Sequence, residues 1–231
     1  MKYYSIAIDG PAGAGKSTIA KRLAAKLGYV YIDTGAMYRA ITLFYVDKGI
    51  DCEDEDAVVG RLDEIAISIS YIDGSQHVFL NGKDVSDSIR TQAVSDNASK
   101  ISAIARVREK LVAIQQELAK SENVVMDGRD IASVVLPNAD LKIYLTASTA
   151  VRAKRRYDEM IAKGETAELS VIEKEIEERD YRDMHRENSP LVRVPEAKLV
   201  DTSALNIDEA TGFCLGLLYC VNGECLEGLK A

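Results

Sequence analysis

The chain has 231 residues and a formal net charge of −8 at pH 7. That length suits one sizeable core carrying subdomains, and the negative balance argues against a general nucleic-acid binder, which needs a basic surface. At 47% hydrophobic and 29% charged residues the composition is that of an ordinary soluble globular protein, with no apolar run near the ~18–20 residues of a membrane span. The opening MKYYSIAIDG turns polar too quickly for a signal peptide, so a cytoplasmic location is expected. Cys52, Cys214, Cys220 and Cys225 are then expected as free thiols, a C-terminal disulfide being the alternative. With no C-x2-C pair and only His77 and His185 as histidines, zinc is not expected.

In chain order, SIAIDG (5–10) reads as a buried strand, and the apolar spacing of Ile19, Ala20, Leu23, Ala24 and Leu27 gives a helix from Lys16 stopped by Gly28. YVYID (29–33) is a second strand and 35–48 a second helix. Residues 66–86 are β-branched and aromatic, and are broken by Asp73-Gly74 and Asn81-Gly82, strong hairpin turns. They predict an antiparallel meander inserted into an α/β chain. Residues 92–120 read as mostly helical, with breaks near Asn97 and Ser102. NVVMDG (123–128) and DLKIYL (140–145) are further strands, 149–162 and 168–187 helices, AKLVDT (197–202) a fifth strand and 206–220 a last helix. The tail NGECLEGLKA is expected to fray. Five apolar strands alternating with helices predict an α/β fold, a parallel sheet covered on both faces. Ligands of such sheets bind beyond the carboxyl ends of the strands.

GPAGAGKS (10–17) lies between a strand and a helix and fits G-x-x-x-x-G-K-[ST], the phosphate-loop pattern in the context it requires. Glycines let backbone N–H groups converge on phosphate oxygens, and the helix adds its positive end. Lys16 can reach the β- and γ-phosphates, and the Ser17 hydroxyl can join a magnesium shell. ATP or GTP with Mg2+ is therefore expected. The N-K-x-D and D-x-x-G motifs of GTPases are absent, and the chain is short for a mechanical ATPase, which leaves a small-molecule phosphotransferase. For its acceptor, DTGAMYR (33–39) and DGRD (127–130) each bring an arginine to a strand end, and arginine's planar fork suits phosphate. Asp127 ends an apolar run, as magnesium-organising acids do. EERDYRDMHRENSPL (177–191) spaces Arg179, Arg182 and Arg186 by three and then four residues, with Asp183 among them, on one helical face.

GPAGAGKST, DTGAMYR, VSDSIRT…VSDNAS, RVRE, DGRDIASVV and ERDYRDMHRENSPL occur in this order. Together they resemble the bacterial cytidylate kinases over almost the whole chain, including a hairpin insert in the monophosphate-binding region. The resemblance implies a P-loop kinase fold with a five-stranded parallel sheet, a small inserted antiparallel sheet and a helical lid. It implies one domain over residues 1–231, with the insert at about 60–92 and the lid at about 155–187. The implied reaction is ATP + (d)CMP → ADP + (d)CDP, by a monomer with nucleotides as its partners and no nucleic acid or membrane. Gly10, Pro11, Ala12, Gly13, Ala14, Gly15, Lys16, Ser17 and Thr18 would hold the ATP phosphates. Thr34, Tyr38, Arg39 and Arg129 would hold the acceptor phosphate, and Ser99, Arg108 and Asp130 would read cytosine. Arg179, Asp183 and Arg186 would contact ribose and phosphate. Lys16, Arg129, Arg179 and Arg182 form the expected catalytic set, and Arg155 and Arg156 are further candidates near the transferring phosphate. Ala132, Ser133 and Asn138 depart from the family's usual residues without removing a named contact. A nucleotide-binding regulator without turnover, and a kinase for UMP, AMP or shikimate, are the rival readings.

Overall fold

The computed structural model describes residues 3–72 and 74–221. The elements run β1 (Ser5–Asp9), α1 (Lys16–Leu27), β2 (Val30–Asp33), α2 (Thr34–Asp47), α3 (Glu55–Val59), β3 (Ile67–Ile72), β4 (Ser75–Leu80), β5 (Lys83–Asp84) and α4 (Gln92–Ile101). They continue with α5 (Ala105–Leu118), β6 (Val124–Gly128), β7 (Leu141–Thr146), α6 (Thr149–Ala162), α7 (Leu169–His185), β8 (Lys198–Asp201) and α8 (Ile207–Val221). A five-stranded parallel sheet has the order β2-β6-β1-β7-β8, and β3-β4-β5 form a separate antiparallel sheet. The expected fold class holds.

The chain divides into two compact units, Met1–Tyr31 with Ser121–Ala231, and Ile32–Lys120. In the first, β1 is buried on both faces, and Ile6, Ile8, Val125, Ile143 and Leu145 meet Leu23 of α1 and Cys214 and Leu218 of α8. Within the same unit α6 and α7 share a small cluster of their own, Ala153, Ile172 and Ile176 with Tyr157 and Met160. In the second, Met37, Ile41 and Tyr45 of α2 form the centre of a cluster with Ile101, Val107 and Leu111 and with Val78 of the inserted sheet.

Local chemistry sets the element ends. Gly15 and Gly28 bracket α1 in the left-handed conformation, at φ 89° and 67°, which costs glycine nothing. Asp33 caps α2 by accepting from the Ala36 N–H at 2.8 Å, satisfying a donor the helix leaves open. The helical stretch after residue 91 breaks at Ser102–Ile104, as expected, but Asn97 sits inside α4 with its amide turned onto the Ala93 carbonyl. Residues 131–135, which no periodicity flagged, wind a single π turn. Cys52 and Cys214 are free and buried, whereas Cys220 is disulfide-bonded, correcting the expectation of four free thiols. Among the described residues no helix is long and apolar enough to cross a membrane. The expected fraying of NGECLEGLKA and the residue Asp73 of the first hairpin turn fall outside the described residues.

Candidate active site

In the first unit β1 and β6 are parallel neighbours, with Ile8 beside Asp127 and Asp9 beside Gly128. The loop that follows β1 and the DGRD segment that ends β6 therefore leave the sheet side by side at its carboxyl edge. The glycine opening the loop is required sterically. Gly10 has φ 149°, and a Cβ there would lie 1.9 Å from the Leu145 carbonyl oxygen.

Lys16 opens α1 and is only 6% exposed. Its Nζ donates to the Pro11 carbonyl at 2.7 Å. Burial and the Arg129 charge push its ammonium down to about 7, against the pull of Asp127, Asp183 and Asp9. Ser17 Oγ donates to Asp127 Oδ2 at 2.8 Å, and the Tyr31 hydroxyl donates to the other carboxylate oxygen at 2.8 Å. A hydroxyl and a carboxylate in contact beside a phosphate cradle suit a hard, oxygen-seeking cation that keeps some of its waters. Among the described residues no cluster of three or more His, Cys, Asp or Glu could hold a metal alone.

Asp9, 2% exposed, accepts from the Ile131 and Ala132 N–H groups at 2.8 and 2.7 Å. It thereby anchors the π turn that follows Arg129 and Asp130. Burial raises its carboxyl to about 6, the two backbone bonds opposing. Sequence reasoning missed this residue. Its available signal was an acid at the end of an apolar strand, the cue that had drawn notice to Asp127.

Arg129 Nε donates to Asp183 Oδ2 at 2.8 Å. Burial works against the Arg129 charge, but Asp183, Asp127 and Asp180 outweigh it and hold the guanidinium above its ordinary value. Burial likewise opposes ionisation of Asp183, yet Arg129, Arg179 and Arg186 hold its carboxyl below the usual range. Arg186 Nε donates to the Ser189 carbonyl at 2.7 Å, and its NH2 lies 3.9 Å from Asp130 Oδ1. Arg129, Asp130, Asp183 and Arg186 thus gather in one charged cluster, with Arg179 acting on it electrostatically. Arg182 differs. It is exposed on α7 while Asp183 beside it is buried, so the three arginines do not share one environment. Arg186 lies just past the end of α7, in extended backbone. Arg155 donates to the Thr202 hydroxyl and carbonyl at 3.2 and 2.8 Å, and Arg156 is exposed.

In the second unit Arg39 NH2 pairs with Asp33 Oδ2 at 3.1 Å, while Thr34 and Tyr38 are buried on α2. Gln76 of β4 holds the Asp33 backbone from both sides. Its Oε1 accepts the Asp33 N–H at 2.7 Å, and its Nε2 donates to the Asp33 carbonyl at 3.4 Å. Arg108 is buried, with its guanidinium 5.5 Å from the Tyr38 ring centre and NH1 donating to the Ser102 carbonyl at 3.0 Å. Ser99 is half-buried one turn before Ser102, its Oγ donating to the Asp96 carbonyl at 3.3 Å.

A strand–glycine loop–helix cradle with a buried lysine, on a parallel sheet whose neighbouring strand β6 carries Asp127, defines a P-loop kinase. Residues 6–215 match the family model described as Cytidylate kinase, and the chain belongs to the cytidylate kinase family. A protein named cytidylate kinase from Lactobacillus johnsonii is 52% identical over 204 residues, covering 88% of this chain and 89% of that one. Another of that name, from Caldicellulosiruptor saccharolyticus, is 50% identical over 97% of this chain and 99% of its own. A crystal structure of an uncharacterized protein from Eubacterium ventriosum superposes with a TM-score of 0.54 at 10% identity, over 95% of this chain and 99% of that one, a likeness of fold alone.

Proposed function

We infer that the chain transfers the γ-phosphoryl group of ATP to CMP and dCMP, giving ADP and CDP or dCDP, in pyrimidine nucleotide metabolism. Family membership over nearly the full chain carries this reading. The loop from Gly10 to Thr18 holds the ATP phosphates, with Lys16 neutralising charge on the γ-phosphoryl group as it moves. Ser17, with Asp127 behind it, would hold Mg2+ on the nucleotide, where the ion would supply charge neutralisation on the phosphate oxygens.

The acceptor phosphate oxygen is already anionic, so no strong general base is needed. Positioning and charge neutralisation carry the catalysis. Arg39 and Arg129 hold the acceptor phosphate with Thr34 and Tyr38. Arg179 and Arg186 neutralise charge during transfer, Asp183 takes sugar hydroxyls, and Arg182 enters the catalytic set when the lid closes. Asp130 accepts from the 4-amino group of cytosine, while Ser99 and Arg108 donate to its O2 and N3. Uracil offers a carbonyl where cytosine has its amino group, so a carboxylate disfavours it. Residues 155–187 act as the lid that excludes water, a competing acceptor. The small core that α6 and α7 share supports treating them as one moving piece. The protein works as a cytoplasmic monomer, as one domain with its insert at about 60–92.

The test is ADP release across a panel of nucleoside monophosphates, with wild type and Asp130→Ala. Wild type is expected to favour CMP and dCMP, and the variant to lose its preference over UMP by more than it loses ATP affinity. Equal losses on both acceptors would remove the base-reading role. No CMP-dependent ADP from wild type would overturn the function.

A further inference from the structure

Ala12 lies in the middle of the phosphate loop, and both polar groups of its backbone are held by one ion pair. Its N–H donates to Asp180 Oδ1 at 3.3 Å, and its carbonyl accepts from Arg152 NH1 at 2.9 Å. The two side chains meet at 2.6 Å between Arg152 NH1 and Asp180 Oδ2, at 5% and 13% exposure. Arg152 has no freedom left to drift. Its Nε donates to the Ala147 carbonyl at 2.9 Å and its NH2 to Thr149 Oγ1 at 3.1 Å, which ties it to the start of α6. A Cβ on Gly13 would come within 3.2 Å of Arg152 Cβ, so the loop is packed against the arginine stem as well as bonded to its head.

We propose that Arg152 and Asp180 form a latch that fixes the orientation of the phosphate loop's peptides and registers α7 against the loop when the α6–α7 lid is closed. The loop binds phosphate through backbone N–H groups, so a flipped peptide presents a carbonyl to an anion instead. The Ala12 N–H belongs to the Pro11–Ala12 peptide and its carbonyl to the Ala12–Gly13 peptide, so the pair anchors two successive peptides, and neither can turn over without breaking a bond to it. The neighbouring Pro11 carbonyl is the one that receives Lys16 Nζ, so the latch also steadies the acceptor that places the lysine. At its other end Asp180 follows Arg179 and lies one helical turn before Asp183, the partner of Arg129. One contact therefore registers the donor-binding loop with the α7 residues assigned above to the transfer. Both residues are positioning residues, since neither is assigned a contact with nucleotide. An ion pair this buried costs desolvation and is a weak source of net stability, but removing one member leaves the other charge stranded. Its return is geometric.

The inference rests on the ATP site assigned above, and wild type serves as its control. ADP and CMP dissociation constants, kcat and melting temperature are measured for Asp180→Ala, Arg152→Ala, the double variant and Asp180→Asn, which keeps an acceptor for the Ala12 N–H. Each alanine variant is expected to weaken ADP binding about tenfold and lower kcat, with CMP binding within about threefold of wild type. The double variant should be no weaker than the worse single within about twofold, and Asp180→Asn should recover part of the ADP affinity. The latch is overturned if both single variants bind ADP within about twofold of wild type, if the two losses multiply in the double variant, or if ADP and CMP affinities fall together. If an alanine variant does not fold, Asp180→Asn decides: ADP affinity and kcat equal to wild type overturn the latch. Failure of wild type to bind ADP would instead overturn the ATP-site assignment.

Discussion

Replacing Asp9 by asparagine tests how the loop after β6 is held. Asp9 is 2% exposed and its carboxyl is raised from 3.8 to about 6, chiefly by burial. A shift of roughly two units corresponds to about 3 kcal/mol between the two protonation states. Because the folded value lies above the unfolded one, the native state holds the extra proton between about pH 4 and pH 6. The contribution of Asp9 to stability is therefore present in full below about pH 4. It declines as pH rises through about 6 and is level above that. Asparagine does not titrate. It offers one acceptor where Asp9 uses Oδ1 on Ile131 and Oδ2 on Ala132, which adds an offset of about 1–3 kcal/mol that is independent of pH. Wild type and variant are to be unfolded in urea at pH 4, 5, 6 and 7, where groups common to both cancel in the difference. Wild-type stability minus variant stability should fall by about 2–3 kcal/mol from pH 4 to pH 7. A flat difference would show that Asp9 titrates alike in the folded and the unfolded chain, and the account of its burial beneath the π turn would fail.

Three further outcomes are expected. Gly10→Ala forces a Cβ to within 1.9 Å of a backbone oxygen of β7 at φ 149°. It should lower the melting temperature by several degrees and weaken ADP binding more than tenfold, and near-normal ADP binding in a titration would contradict the close approach. Gln76→Ala removes both bonds on the Asp33 backbone. KM for CMP should rise about three- to tenfold with KM for ATP within about twofold, and steady-state kinetics showing no such split would remove the insert from acceptor positioning. Arg182→Ala alters an exposed side chain, so melting should move by no more than about 1 °C while kcat falls at least tenfold. An unchanged kcat would strike Arg182 from the catalytic set.

What was legible in the sequence was what a local pattern encodes. The apolar run SIAID, the glycine–lysine loop and the periodicity of Lys16–Leu27 specify β1, the cradle and α1 within one short stretch, because each depends on neighbours in the chain. The hairpin turn at Asn81-Gly82 is visible for the same reason, a positive φ of 50° at Asn81 and 80° at Gly82. Tertiary partnerships left no such trace. Asp180 and Arg152 each look like one more charge on a solvated helix, and nothing local says that both reach Ala12. Gln76 reads as an ordinary polar position on a hairpin, and Tyr31 as one aromatic of YVYID, although its hydroxyl holds Asp127. The arginine stripe shows the converse error. Spacing of three and four predicts a common face, but Arg182 is exposed while Arg186, on extended backbone past the end of α7, stays with Asp130 and Asp183, so spacing alone could not separate Arg182 from its neighbours.

The contact between Gln76 and Asp33 has a meaning beyond placing Arg39. β2 is an outer strand of the five-stranded sheet, and an outer strand offers unpaired backbone groups to any extended chain that passes. At its last residue the side-chain amide of Gln76 occupies both the N–H and the carbonyl of Asp33, as a neighbouring strand would. Gln76 thus closes that one position, the end of β2, to strand addition. A kinase shortened by the hairpin would leave the Asp33 N–H and carbonyl without these partners, open to an extended chain unless a charge or a proline is placed beside them.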